Sequence, residues 1–556
     1  MTQLVECVPN FSEGRDKKVI DAIADAVRTV ADVKLLDVDP GADTNRTVYT
    51  MVGTPAGVAE AAFQAARKAH ELIDMATHKG AHPRMGAMDV CPFVPVSGVT
   101  MDDCVAIARA VGRRLGDELE IPVYLYEFAA TSPDRQSLAE IRAGEYEALE
   151  AKLADPKWKP DFGPARLKPR WGASVVGARE FLIAYNVNLN TRDRKLANEI
   201  ALNIREGGRV KKDDKGNPVK DAIGKTVKLP GKHKAVRAIG WYIDAYRQAQ
   251  VSINLINYKV TPLHVVFESV REEAEKLGLI VTGSELVGLV PLQPMIDAGK
   301  FYLRKQGKSA GVPEAELVEA AVRSLGLDQL AAFDPAKKII EYEFRTPAPL
   351  MSLTARGFVD EVSSESPAPG GGSVAALAGS LCAALAAMVA NLTVGKRGYE
   401  AVWEEMAGLA EKAQEVKDRL AAAVDEDTSA FNLLMEAMRL PKATAEQKAA
   451  REAAMQAGYR QAASVPLATA QACLDAMKLA LAVAQKGNAN SASDAGVAGL
   501  MARAGIEGAG LNVLINLSDI TDEEYKTSHR RKVESLVRES EALNQRVQDA
   551  VKQNIK

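Results

Sequence analysis

The sequence predicts a multidomain chain with α+β and all-α parts: two α/β sandwich-like subdomains of ferredoxin-like order, followed by an all-helical bundle. Three observations predict it. Short apolar runs of strand type alternate with helical stretches over residues 4–290. That alternation stops near residue 342, and beyond the proline stretch Thr346-Pro347-Ala348-Pro349-Leu350 runs of β-branched residues almost vanish. Finally, 556 residues exceed what one hydrophobic core holds. The boundaries read as 1–179 and 180–342 for the two subdomains, 343–350 for a linker and 351–556 for the bundle.

Residues 4–8, 33–38, 47–52, 90–96 and 123–128 are the first set of strand runs, and the stretches 16–30, 55–73 and 102–119 between them have helical periodicity. These helices should cover one face of a mixed sheet. A second unit of similar order has runs at 181–189, 236–243, 251–256 and 279–290. Inside it, residues 209–234 carry eight lysines and are expected to be a mobile, solvated loop. Past the linker, amphipathic stretches at 399–438, 445–462, 466–485, 495–503 and 523–552 predict the bundle. Residues 373–390 are uncharged for a membrane-span length, but their alanines and glycine suit the centre of a bundle.

Hydrophobic residues make up 47% of the chain and its net charge is −3, so nothing calls for nucleic acid or a membrane surface. Small molecules and further copies of the chain are the expected partners. Cys7, Cys91, Cys104, Cys382 and Cys473 are scattered and never in CxxC spacing, which gives no basis for disulfides or structural zinc. Met1-Thr2-Gln3-Leu4-Val5-Glu6 carries neither a basic start nor an apolar signal core, so a cytoplasmic location is expected.

The densest chemistry is in His78-Lys79-Gly80-Ala81-His82-Pro83-Arg84-Met85-Gly86-Ala87-Met88-Asp89-Val90-Cys91-Pro92. Gly80, Pro83 and Gly86 exclude a helix, so His78 and His82 cannot form a zinc-binding helical pair, and no metal is expected. What remains is a loop imidazole with a reference pKa of about 6.5, suited to moving protons near neutral pH. Two other polar segments also follow strand runs. They are Cys7-Val8-Pro9-Asn10-Phe11-Ser12-Glu13-Gly14-Arg15 and Asp37-Val38-Asp39-Pro40-Gly41-Ala42-Asp43-Thr44-Asn45-Arg46. Strand-end loops are where α/β domains place chemistry.

With residues 158–181, these segments resemble the formiminotransferase part of the formimidoyltransferase-cyclodeaminase family, bifunctional folate enzymes of histidine breakdown. The resemblance makes His82 the catalytic acid/base. It places folate on Gly163-Pro164-Ala165-Arg166-Leu167-Lys168-Pro169-Arg170-Trp171-Gly172, where Trp171 would stack on the pterin and the three cations would take the glutamate carboxylates. Asp39, Asp43 and Arg84 are candidates for orienting His82 and the substrate carboxylates.

In the rear half, Pro367-Ala368-Pro369-Gly370-Gly371-Gly372-Ser373 opens the alanine-rich helix, and free N–H groups there could cradle an anion. This start resembles the cyclodeaminase part of the same family. So do Thr393-Val394-Gly395-Lys396, Val424-Asp425-Glu426-Asp427-Thr428-Ser429-Ala430-Phe431 and Asn490-Ser491-Ala492-Ser493-Asp494. The resemblance makes Asp427 the proton donor. Asp425 and Asp494 are candidate neighbouring anions, and Lys396 a candidate folate holder.

The implied chemistry is attack of tetrahydrofolate N5 on the amidine carbon of N-formimino-L-glutamate, which releases glutamate. The neighbouring folate nitrogen then closes the ring, ammonia leaves, and 5,10-methenyltetrahydrofolate remains. The resemblance also implies a homo-oligomer, an octamer, and a polyglutamylated folate tethered between the two sites. On the residues alone, a formyl donor, a cyclohydrolase-like rear domain and a non-catalytic folate-binding scaffold stay open.

Overall fold

In this computed structural model, which describes residues 3–221, 224–345 and 349–555, the first apolar run forms two collinear strands. Leu4–Cys7 (β1) and Asn10–Phe11 (β2) are interrupted at Pro9, which has no N–H for the ladder. Helix α1 (Lys17–Arg28) starts where the Asp16 side chain accepts the Lys18 N–H, and it buries Ile20, Ile23, Ala24 and Val27. Next come β3 (Val33–Gly41), β4 (Arg46–Gly53), α2 (Pro55–Leu72), β5 (Met88–Ser97), α3 (Met101–Glu118) and β6 (Val123–Glu127). The short helices α4 (Leu138–Ile141) and α5 (Leu149–Ala154) precede β7 (Ser174–Ala178).

The sheet runs β3-β4-β1/β2-β5-β7-β6. Strands β1, β3, β4 and β5 with α1 and α2 have ferredoxin-like order and antiparallel pairing, while the added β7 and β6 pair in parallel and make the sheet mixed. As the periodicity predicts, α1, α2 and α3 share one face over a core that includes Phe11, Ile23, Tyr49, Phe63 and Leu115. At the β5-β7-β6 end the opposite face is closed by Ile141, Leu149 and Leu153 from α4 and α5.

The same order repeats in β8 (Ile183–Leu189), α6 (Arg194–Ile204), β9 (Arg209–Val210), β10 (Lys228–Leu229), β11 (Val236–Ile243), β12 (Gln248–Leu255), α7 (Leu263–Lys276) and β13 (Val281–Val287). Its antiparallel sheet runs β11-β12-β8-β13. The lysine-rich excursion differs from the loop expected. The Lys211 N–H reaches the Val227 carbonyl at 2.9 Å and the Val227 N–H reaches the Val219 carbonyl at 2.8 Å, with Asp213 and Asp221 closing the turns. Backbone pairing holds the described part of the segment despite its charge.

Two compact units emerge from the contacts: residues 1–294 with 325–344, and residues 295–324 with 345–556. The first unit therefore holds both sheets with α10 (Pro335–Lys338) and α11 (Ile340–Glu343), whereas α8 (Leu292–Lys305) and α9 (Glu314–Leu325) fall largely in the second. Lys300 and Arg304 both pair with Glu411 there, and Asn391 and Gln414 both donate to the Gly311 carbonyl. Contacts thus move residues 295–324 out of the 180–342 segment. Of the linker, Thr346, Pro347 and Ala348 lie outside the described residues.

The bundle comprises α12 (Ala355–Val362), α13 (Gly371–Asn391), α14 (Trp403–Arg439), α15 (Ala445–Lys486), α16 (Ala492–Leu517) and α17 (Glu523–Asn554). The alanine-rich α13 lies against α14, α15 and α16, as its apolar composition predicts. The expected break before Pro466 is absent, because α15 runs straight through it. Proline removes the N–H that the Ala462 carbonyl would accept, and the Asn516 side chain from α16 supplies a donor in its place at 3.0 Å. We expect Asn516→Ala to lower bundle stability by about 1–3 kcal/mol by stranding that buried carbonyl. An unchanged urea midpoint would count against this account.

Candidate active sites

Asn45 gathers three strand-end loops of the first sheet. Its Oδ1 accepts the Gly14 N–H at 3.0 Å, its Nδ2 donates to the Lys79 carbonyl at 3.0 Å, and its own carbonyl accepts His78 Nε2 at 2.9 Å. The loops meet so closely that a Cβ on Gly80 would sit 2.1 Å from the Thr44 carbonyl oxygen. Only glycine fits there.

The two histidines of the loop have different roles. His78 is fully engaged: with Nε2–H on Asn45, its Nδ1 accepts from Arg84 Nε at 3.4 Å. His82 donates Nδ1–H to the Pro83 carbonyl at 2.7 Å, which fixes the neutral tautomer and leaves Nε2 without a hydrogen bond among the described residues. Burial and then the Arg46 charge pull the His82 pKa below its ordinary value. Neutral imidazole with a bare Nε2 is a proton acceptor.

Around His82 stand residues that sequence reading left unassigned. Asp89 is buried; it accepts the Met85 N–H at 2.8 Å and pairs with Arg142. Arg46 and Asp89 both act electrostatically on His82, and Arg46 feels Asp39 as well. The Nε atoms of Arg46 and Arg142 and Oδ1 of Asn10 are buried without hydrogen-bond partners. The register sets Asp39 opposite Val48 and Val48 opposite Asn10, so Asp39, Arg46 and Asn10 share the sheet face away from the helices. Those neighbours come from strand pairing, which no local spacing announces. Asn10, Arg46 and Asp89 carried one visible signal, membership of the polar segments singled out above, and Arg142 carried none.

Of the supporting candidates in this half, Asp39 is exposed on that face, while Asp43 is exposed and enters the loop through its carbonyl, which accepts the Ala81 N–H. Arg84 does not face a substrate. It is buried and clamped by Glu147 at 2.8 Å and Glu145 at 3.2 Å, so its charge is already matched.

The segment Gly163–Gly172 does reach this loop. Gly172 bridges Gly86, the Ala87 N–H donates to the Trp171 carbonyl at 2.8 Å, and the Ala173 N–H donates to the Met85 carbonyl at 3.1 Å. Arg166 and Arg170 are exposed, with only loose pairing to Glu120 and Asp74, while Lys168 is tied to the Leu119 carbonyl. Trp171 cannot be the stacking platform. It is 1% exposed in the helix-side core, with His70 beside its ring and Ser174 Oγ accepting its Nε1–H. The indole satisfies the core instead of a ligand.

In the bundle, the cradle at the start of α13 is occupied by the chain's own acid. A Cβ on Gly372 would lie 2.1 Å from Asp427 Oδ1, and Ser373 donates to the same carboxyl through its backbone N–H and, at 3.3 Å, its hydroxyl. Burial outweighs these hydrogen bonds and raises the Asp427 pKa above the ordinary carboxylate value. Asn512 of α16, another residue that sequence reading left out, stands beside Gly371.

The proposed anionic neighbours are elsewhere. Asp425 accepts the Leu350 N–H at 2.8 Å and fastens the chain entering the bundle. Asp494 lies in the first turn of α16, roughly 27 Å along that helix from Asn512 at 1.5 Å per residue. Lys396 follows the far end of α13 and donates to Asn488 Oδ1 at 2.5 Å. Desolvation, not a second carboxylate, raises the Asp427 pKa.

Three family descriptions match successive parts of the chain: the N-terminal subdomain of the formiminotransferase domain over residues 4–179, the formiminotransferase domain over 184–345 and formiminotransferase-cyclodeaminase over 354–535. The Mus musculus formimidoyltransferase-cyclodeaminase is 48% identical over 544 residues, 97% of each chain. The glutamate formimidoyltransferase of Thermoplasma acidophilum is 44% identical over 321 residues, 57% of this chain and 98% of its own. The methenyltetrahydrofolate cyclohydrolase of Methylorubrum extorquens is 41% identical over 202 residues, 36% of this chain and 97% of its own. With near full-length identity at that level, and with both halves represented in order, the chain belongs to the formimidoyltransferase-cyclodeaminase family.

Proposed function

We propose that the two activities of this bifunctional folate enzyme are carried by His82 and Asp427. The first moves the formimino group from N-formimino-L-glutamate to tetrahydrofolate, and the second closes the folate ring with release of ammonia. The observation behind the first assignment is His82 Nε2, bare and neutral, beside Arg46, a half-buried guanidinium with no carboxylate bonded to it among the described residues.

A desolvated cation of that kind favours an anion. Arg46 takes a carboxylate of the formimino donor, and the buried Asn10 Oδ1 is an acceptor suited to an amidine N–H. His82 removes the proton from the attacking folate nitrogen and returns one to the departing glutamate nitrogen. Exposed Arg166 and Arg170 suit the anionic tail of folate, polyglutamylated in this reading. Asp427, whose pKa is raised by burial, gives its proton to the leaving ammonia. The same reading makes the protein a cytoplasmic homo-oligomer, an octamer, acting in histidine breakdown.

Kinetics of Arg46→Met test the donor site. The KM for N-formimino-L-glutamate should rise about 10- to 100-fold, the loss of a charged hydrogen bond, with kcat much less affected. The acid limb of the transfer profile should also move to higher pH, because His82 loses a nearby positive charge. An unchanged KM would remove Arg46 from the site. Ammonia release from the wild type separates ring closure of this kind from a water-using cyclohydrolase.

A further inference from the structure

The first sheet carries a second charged group, apart from the residues bonded around His82. Glu6 is on β1, with Val52 of β4 and Val94 of β5 beside it in the register. Asn10 is opposite Val48 of the same β4, an even number of residues from Val52, so Glu6 and Asn10 share the sheet face away from the helices. Glu6 is 5% exposed, yet its carboxyl accepts no hydrogen bond and makes no salt bridge among the described residues. A buried carboxyl without donors is unfavourable to the fold. Burial raises its pKa to about 7, with the charge of Arg179 opposing that rise.

Arg179 directly follows β7. Its guanidinium donates to the Glu180 carbonyl at 3.0 Å and makes no salt bridge among the described residues, so Glu6 and Arg179 act on each other across a gap wider than an ion pair. Arg179 also acts on Tyr126 and Glu127 at the end of β6, where Glu127 turns out of the strand at a φ of 53°, a left-handed conformation unfavourable to a residue with a Cβ. The group thus sits at the carboxyl ends of the parallel strands β5, β7 and β6, where α/β sheets bind ligands. It is continuous with the transfer site, because Arg142 acts on both Tyr126 and His82.

We infer that Glu6 and Arg179 bind the pyrimidine edge of the tetrahydrofolate pterin in formimino transfer, the Glu6 carboxylate accepting N3–H and the 2-amino group while Arg179 donates to the 4-oxo oxygen. That edge presents one acceptor beside two donors, and a guanidinium beside a carboxylate presents the complement. Glu6 stands four register positions from Asn10, roughly 13 Å along the sheet by the rise of a strand. A bicyclic pterin with a hydrogen bond at each end covers that span, which puts its N5 at the amidine held by Asn10. The pterin N–H groups then supply the donors that the buried carboxyl lacks. This inference rests on the assignment of formimino transfer to the His82 site.

Transfer kinetics of the full-length protein with tetrahydrofolate and with its 2-desamino-2-methyl analogue test it. For the wild type, the KM for the analogue should exceed that for tetrahydrofolate about 10- to 100-fold, the loss of a charged hydrogen bond. Glu6→Gln should raise the KM for tetrahydrofolate by a similar factor, leave that for N-formimino-L-glutamate near the wild-type value and shrink the difference between the two folates. At about pH 8, where ionised Glu6 opposes folding, Glu6→Gln should also melt no lower than the wild type. A clear drop in melting temperature would make Glu6 a structural residue and overturn the inference. So would an unchanged tetrahydrofolate KM in Glu6→Gln, and, with no substitution at all, equal KM values for the two folates in the wild type. A wild type that transfers the formimino group to neither folate would sink the transferase assignment instead.

Discussion

His82→Ala lowers formimino transfer by about 2 to 4 orders of magnitude, while cyclisation of supplied 5-formiminotetrahydrofolate continues at the wild-type rate. The loss is this large because the Asn45 clasp leaves a single ring nitrogen free: His78 Nδ1 and Nε2 are both hydrogen-bonded and cannot substitute. The wild-type transfer rate should fall on acidification below the depressed His82 pKa, since protonation blocks Nε2. Steady-state assays of the two half-reactions on the same preparation check both statements. Equal loss of both activities would point to a folding defect and remove the role given to Nε2.

Asp427→Asn should give the mirror result, with ammonia release reduced by a comparable 2 to 4 orders of magnitude, roughly, and transfer intact. Asparagine keeps the shape and can still accept from Ser373, but it has no acidic proton to give. For the wild type the sign of the pH effect is opposite to that for His82. The raised pKa keeps the carboxyl protonated further toward neutrality, and cyclisation should decline as pH climbs through that value. A cyclisation rate that rose across that range would assign the proton to another group.

The succession of strands and helices was legible because period-2 and period-3.6 patterns are local, and both ferredoxin-like sheets follow from that order. A loop imidazole was legible because glycine and proline exclude a helix there, whereas the choice of His82 came from the family resemblance. Arg46, Asp89 and Arg142 were not, since strand register and buried pairing bring them to His82 from sequence distances of up to 60 residues. Trp171 misled for a related reason: an indole among cations resembles a surface platform until Ser174 and the core claim it. Helix α15 looked broken because Asn516, which supplies the missing donor, is 54 residues from Ala462. Asp425 as a neighbour of Asp427 could have been rejected at once, since residues two apart on a helix point to different sides.

The path of the chain through its two compact units has a practical corollary. It passes from one to the other before residue 295, back after 324 and over again after 344. Severing the polypeptide near residue 347 would therefore not yield two tidy halves. The front fragment would carry α8 and α9 away from Glu411, Asn391 and Gln414, and the rear fragment would bare the surface they had covered.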